Sequence, residues 1–399
     1  MSLFERFGCH PLINAAGAVT RLGGAPMHPA ALQAYQQAAL EDVALEELQA
    51  AASKRIAGWT GAEAALVTSG AAASLTLASA AVLAGNDAAK MEQLPFTEGI
   101  PNEIVIAREQ RSGYDHALRA AGARLREVGF DEVSCGAGIR RVETWEYGAA
   151  IGPNTVAMAY TLTRESCPPL AEVVACAHEH DLPVIVDASS QLPPREQLRT
   201  IPQSGADLVC FSGGKALRGP QATGILCGRR ALIQSAAVQM LDMDVASELW
   251  APPRDFIDPQ ALSGLPRHGI GRGFKVAKES IAALLAAIEA FLAEPLDEDL
   301  ARHSALLDRV EGALGKTQVG CRRVAGAAET PPTLELRIDP AMYPGGATAA
   351  YRALVARTPA VYLGCGKLRE GLLIVHSGCV REAQADALVE SLCAVFRSP

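Results

Sequence analysis

Between residues 64 and 227 the chain keeps returning to one unit: a short apolar run, a glycine or polar break, then a helical pattern. The apolar runs fall at 64–68, 103–107, 156–161, 182–187, 208–212 and 223–227, with a short extended segment at 125–128. Helical patterns fill 69–83, 114–121 and 169–179, the last opening on Pro169. Runs this short and this apolar suit strands covered on both faces. Their alternation with helices predicts an α/β fold built on a mostly parallel sheet.

The pattern changes after about residue 271. A long helix is expected over 275–292, then three β-like runs at 333–338, 361–364 and 372–376, and a terminal helix over 381–396. The expected organisation is therefore an N-terminal arm and helix over 1–50, a large domain over 51–270 and a smaller α+β domain over 271–399. With 399 residues, 49% of them apolar, the chain has enough material for both cores. Residues 86–102, with two prolines and a glycine, read as a loop.

Two of the runs end in chemistry. Residues 182–187 finish on Asp187, and 208–212 lead into Ser212-Gly213-Gly214-Lys215. Each residue alone has an ordinary reading. A strand-end acid caps a helix or binds a ribose, and a lysine after two glycines is a solvated loop residue. Delivered together to one edge of a sheet, they suit pyridoxal phosphate (PLP). The lysine amine can form a Schiff base with the cofactor aldehyde. The aspartate can keep the pyridine nitrogen protonated, which makes the ring an electron sink.

Other segments fit around that pair. Ser69-Gly70-Ala71 joins a strand to a helix, and free N–H groups at a helix start attract a phosphate; the plain alternative is a Ser N-cap. His116, in Tyr114-Asp115-His116, could stack on a pyridine ring, as could Tyr114. Ser190 or Gln191 could donate to the ring's phenolic oxygen, and Ser212 could reach the phosphate. Arg218, Arg272 and Arg369 are the candidate forks for a substrate carboxylate, with Arg218 also placed for phosphate. No metal site is expected: in His178-Glu179-His180 the two imidazoles point to different faces of a helix. The 212–219 segment lacks the order of a nucleotide-binding P-loop.

Composition narrows the partners. A formal charge of −8 argues against nucleic acid or a membrane surface. The longest apolar stretch, 281–293, is interrupted by Glu289 and is too short to span a bilayer. Ten cysteines without paired CxxC spacing, and an N-terminus without a signal-peptide pattern, lead to the expectation of a reduced, cytoplasmic protein.

The order of Asn14-Ala15-Ala16-Gly17, Gly113-Tyr114-Asp115-His116-Ala117, Val186-Asp187-Ala188-Ser189-Ser190-Gln191, Ser212 to Gln221 and Gly269 to Val276 resembles fold-type-I PLP enzymes. Within them it resembles the selenocysteine synthase group, and above all its D-glucosaminate and D-glucosaminate-6-phosphate ammonia-lyases. The resemblance covers about residues 11–280; the C-terminal third carries no matching motif. It implies a PLP transferase fold with Lys215 as the cofactor lysine. It also implies at least a homodimer, in which 11–28 or 264–275 reach a neighbour's cofactor.

The expected activity is α,β-elimination on a β-hydroxy amino acid or amino-sugar acid, giving a 2-keto acid and ammonia. A β-replacement transferase, and a racemase or aldolase on the same cofactor, stand as alternatives. A non-enzymatic binding protein would need neither Lys215 nor Asp187.

Overall fold

The computed structural model describes residues 2–130, 136, 140–242, 244–326, 328–341 and 343–396. Its strands are β1 (Leu12–Ala15), β2 (Ala64–Thr68), β3 (Glu103–Ala107), β4 (Arg124–Val128), β5 (Thr155–Thr161), β6 (Val184–Asp187), β7 (Leu208–Ser212), β8 (Gly224–Gly228), β9 (Gly320–Val324), β10 (Thr333–Arg337), β11 (Ala360–Leu363) and β12 (Leu372–His376). The chain divides into two compact units, Met27–Leu292 and a second that joins the residues up to Pro26 with those from Ala293 onward. These are not the boundaries expected at 50 and 270. The N-terminal arm belongs with the C-terminal segment because β1 pairs in parallel with β11. The helix Lys278–Ala293 belongs with the large unit because its Ile281, Leu284 and Ile288 enter the core there.

Among the described residues of the large unit, seven strands form one sheet in the order β2-β8-β7-β6-β5-β3-β4. All neighbours are parallel except β8, which runs against both β2 and β7. Alternating side chains feed two cores, as strands covered on both faces require. Ile185, Cys210 and Leu226 lie in one, Val186, Val209 and Ile225 in the other.

The helix Ala71–Ala84 is built from alanine, leucine, valine, serine and threonine and is buried on nearly every side. A helix apolar all round belongs inside. Its few hydroxyls find partners there. Thr76 donates to the Ala117 carbonyl at 2.8 Å and Ser79 to that of Leu118 at 2.9 Å. Both bonds fix the short helix Asp115–Ala120 against it.

The strand reversal at β8 decides where chemistry can gather. The carboxyl ends of β2, β6 and β7 meet the amino end of β8 at one edge. Gly224 stands opposite both Thr68 and Ser212, and Asp187 stands opposite Cys210. Crevices at the carboxyl ends of strands are where open α/β sheets bind ligands.

The second unit holds an antiparallel sheet, β12-β10-β9, and the β1–β11 pair. Helices Leu296–Leu314, Gly346–Val355 and Ala385–Phe396 supply its apolar core with Leu307, Leu354 and Leu392. Glu335, on the opposite face of β10, is buried yet ionic. Lys367 bonds one carboxylate oxygen at 2.8 Å, and Arg322 bonds the other at 3.0 Å through its Nε. The two cations, Lys367 first, hold that carboxyl below the usual range. Residues 86–102, read as loop, contain the helix Ala88–Gln93, which Asp87 caps by accepting from Ala89 and Lys90.

Candidate active site

The lysine loop explains its own sequence. After β7 the chain turns back on itself, with Gly213 donating to Thr223 at 2.8 Å, Gly219 to Gly213 at 2.9 Å and Arg218 to Lys215 at 3.0 Å. A Cβ on Gly213 would meet Thr223 Oγ1 at 2.1 Å, and one on Gly214 would meet Gln221 Cα at 2.5 Å. Only glycine fits either place. Arg218 adopts φ +56°, an unfavourable conformation for a residue with a Cβ. Its carbonyl accepts from the His28 amide at 2.8 Å, which ties the loop to the start of the helix Pro29–Ala38.

From this loop the partly buried Lys215 amine donates to Ser190 Oγ at 2.7 Å. Burial pushes the amine's pKa down, while the nearby Asp187 carboxylate and the Cys210 thiol work in the other direction. The net direction favours a neutral amine, the form that acts as nucleophile or base. Gln191, the other candidate beside Ser190, donates to the Leu162 carbonyl at 2.6 Å, which leaves Ser190 as the hydroxyl at the amine.

Asp187 ends β6 with one oxygen engaged. Oδ1 accepts from the Ser189 amide at 2.9 Å and from Cys210 Sγ at 3.8 Å. No described residue bonds Oδ2. The carboxylate shares a small cavity with Leu75, Tyr114, Asp115 and Tyr160. Tyr114 is exposed and lines this cavity. His116, one residue into the Asp115–Ala120 helix, is exposed and does not line it.

At the neighbouring strand end, Gly70 rather than Ser69 occupies the cap of the Ala71–Ala84 helix, with φ +116° and no capping side chain. The Ser N-cap alternative is therefore not what forms. The first helical amides are left for another acceptor. Thr68 Oγ1 lies 3.0 Å from the Gly70 carbonyl and 2.7 Å from Ser74 Oγ, and this hydroxyl pair steadies the turn. Ser212 closes β7 at the same edge, opposite Gly224.

Two of the candidate arginines, Arg272 and Arg369, belong to different units. Arg272 is ion-paired with Asp242 on the segment Ile270–Phe274, where a Cβ on Gly271 would meet Leu77 of the buried helix at 2.4 Å. Arg369 is exposed in the second unit, beside a cavity that also exposes Arg337 and Asp339. The metal-like His178 bonds Asp207 at 3.0 Å, and Asp207 in turn holds the Val184 amide and Arg229. Among the described residues no cluster of three His, Cys, Asp or Glu is arranged around a common point for a metal. No described helix is long and apolar enough to cross a membrane.

Cys210 was not among the residues singled out from the sequence. A buried cysteine in an apolar strand carries no signal by itself; only the β6–β7 register brings it to Asp187.

A lysine on a glycine-cleared loop, an acid on the adjacent strand and an uncapped helix start, all at one edge of this sheet, form a candidate active site that suits a fold-type-I PLP enzyme. The L-seryl-tRNA selenium transferase family model matches residues 12–244, and the chain belongs to that family.

A 5'-C-glycyluridine monooxygenase-decarboxylase from a Streptomyces species is 29% identical over 98% of this chain and 90% of its own length. A D-glucosaminate-6-phosphate ammonia lyase from Salmonella typhimurium is 28% identical over 72% of this chain and 69% of its own. The solved structure of a D-glucosaminate-6-phosphate ammonia-lyase superposes with a TM-score of 0.81 at 24% identity, over 99% of this chain and 98% of that one.

Family membership implies PLP, and the residues present fit it. The Lys215 amine is disposed toward its neutral form, Asp187 keeps an oxygen for a ring N–H, and the helix at Ala71 offers amides to a phosphate.

Proposed function

We propose that this protein is a PLP-dependent ammonia-lyase that carries out α,β-elimination on a β-hydroxy amino acid or amino-sugar acid, releasing a 2-keto acid and ammonia. The observation that carries the reading is the Lys215–Ser190 bond at 2.7 Å beside an Asp187 whose Oδ2 no described residue bonds. The likeness to the ammonia lyase across 72% of the chain supports the reaction class.

When bound, PLP supplies a protonated ring that takes up the electron pair left on Cα. The Lys215 amine, in its neutral form, would remove the Cα proton. Ser190 accepts from that amine and fixes its direction. Asp187 holds the ring proton in place and so keeps the electron sink working. The amides at Ala71 and the cation of Arg218 hold the phosphate, with Ser69 and Ser212 at the same edge. An arginine fork, with Arg272 and Arg218 the candidates in this unit, would set the substrate carboxylate so that the Cα–H bond stands perpendicular to the ring. The β-hydroxyl would leave as water with the proton that Lys215 took from Cα, and the resulting enamine would hydrolyse to keto acid and ammonia.

The experiment is a screen of D- and L-β-hydroxy amino acids and amino-sugar acids, with and without a phosphate, for paired release of keto acid and ammonia. Products in which the β-hydroxyl is retained or replaced would overturn the elimination. A second reading, oxidative decarboxylation, is favoured by the relative that spans 98% of the chain. Oxygen uptake with carbon dioxide release would identify it.

We further propose that the active form is at least a homodimer. Leu32, Leu40 and Val43 are 48%, 87% and 46% exposed on and after the Pro29–Ala38 helix, an apolar surface suited to a second copy. Sedimentation showing a fully active monomer would refute this.

A further inference from the structure

We propose that Cys210 is a positioning residue: its thiol donates to Asp187 Oδ1 and turns the carboxylate so that Oδ2 faces the ring nitrogen of the cofactor. The inference rests on the PLP reading above and names the group that tunes it. Cys210 and Asp187 are direct neighbours across the parallel β6–β7 pair, so their side chains share one face of the sheet. The Sγ–Oδ1 distance is 3.8 Å, within reach of a sulfur donor. The Ala188 amide donates to the Cys210 carbonyl at 3.0 Å, which locks the register in which the two side chains meet. The Ser189 amide is the other donor to Oδ1, so that oxygen has both its partners from the protein.

An ionised carboxylate only accepts hydrogen bonds. The shared proton therefore belongs to sulfur. Cys210 is fully buried beside that negative charge, and both facts hold the thiol well above its ordinary range. It is a permanent neutral donor. A thiol is also a weak one. It turns the carboxylate without competing for it as a charged donor would, and a carboxylate held toward the ring N–H is what keeps a pyridine nitrogen protonated. A purely apolar residue would leave Oδ1 with one donor and the carboxylate freer to rotate.

The test uses the holoprotein reconstituted with PLP labelled with ¹⁵N at the ring nitrogen. In the wild type the ¹⁵N shift should report a protonated ring across neutral pH. Cys210→Val and Cys210→Ala both remove the donor, the first keeping the volume and the second sparing any steric conflict. In either, the pH at which the ring nitrogen loses its proton should fall, and PLP retention should weaken about threefold to tenfold.

Cys210→Ser restores a donor and should return the nitrogen to the protonated side. A protonation midpoint in the folded Val or Ala variant equal to the wild type would overturn the proposal, as would a Ser variant no different from Ala. Wild-type protein that takes up no PLP at Lys215 would instead defeat the cofactor reading itself, which keeps the two failures apart.

Discussion

A Cβ placed on Gly224 would stand 2.5 Å from the carbonyl carbon of Gly70 and 2.7 Å from the amide nitrogen of Ala71. The antiparallel strand β8 is thus pressed against the backbone turn that starts the buried helix. Both contacts are to main chain, so no side-chain rotation relieves them. Gly224→Ala should displace the turn that receives the phosphate. We expect a loss of about 1–3 kcal/mol of stability from overpacking and PLP affinity at least about tenfold weaker. Thermal melts and PLP titration measure the two. Unchanged PLP affinity would show that this turn does not anchor the cofactor.

Lys215 should be the residue that carries the cofactor. Borohydride reduction of the yellow holoprotein, followed by peptide mapping, should place the pyridoxyl group there. Lys215→Ala should abolish the covalent link and essentially all turnover. A pyridoxyl group on another lysine would overturn the assignment.

Asp187→Ala should lower kcat by roughly two to three orders of magnitude, because a neutral ring drains the Cα electron pair poorly. KM should change less, since the carboxylate acts on the transition state rather than on substrate binding. Near-normal kcat would remove the electron-sink role.

What the sequence revealed divides by how local the cause is. Strands β2, β3, β5, β7 and β8 were legible within a residue or so, because strands buried on both faces write their burial into a few consecutive positions. β1 was not, because Leu12–Ala15 lies among glycines and forms only by pairing with Ala360–Leu363, far along the chain. β9 was hidden by Arg322 and Arg323, whose charges find partners in Glu335 and Asp308 only in the fold. The helix Leu296–Leu314 was missed because its buried side chains, among them Leu307, Val310 and Leu314, form a narrow stripe amid charges. In the site, Lys215 and Asp187 stood out because few chemistries need a lysine and an acid at successive strand ends. The Cys210–Asp187 bond and the Arg272–Asp242 pair depend on register and tertiary packing, which spacing does not encode.

Arg218 separates backbone strain from side-chain function. Its φ of +56° is one a glycine adopts freely. Arg218→Gly and Arg218→Ala lose the same guanidinium, but only the alanine keeps the strain. The glycine variant should therefore be the more stable of the two by about 1 kcal/mol. Both should hold PLP less well than the wild type if the arginine serves the phosphate. Equal melting temperatures for the two variants would mean that the loop relaxes. Wild-type PLP retention in both would release Arg218 from that role.

His376 should make stability depend on pH. It closes β12, where a Cβ on Gly17 would meet its Cγ at 3.6 Å and one on Gly364 would meet its Nε2 at 2.9 Å. The two glycines thus leave room for an imidazole but set it in partly buried surroundings. Burial lowers its pKa below the ordinary 6.5, so the folded chain prefers the neutral ring. The unfolded chain takes up a proton first as pH falls. The stabilising contribution is thus complete above pH 6.5 and is lost progressively below it, down through the folded-state value. Urea midpoints of the full chain, measured from pH 7.5 to pH 5, should fall more steeply for the wild type than for His376→Gln, whose side chain does not titrate. At pH 7.5 the two should differ only by the packing change. Parallel pH profiles for the two proteins would show that His376 is solvated in the folded state and that its surroundings do not oppose the charge.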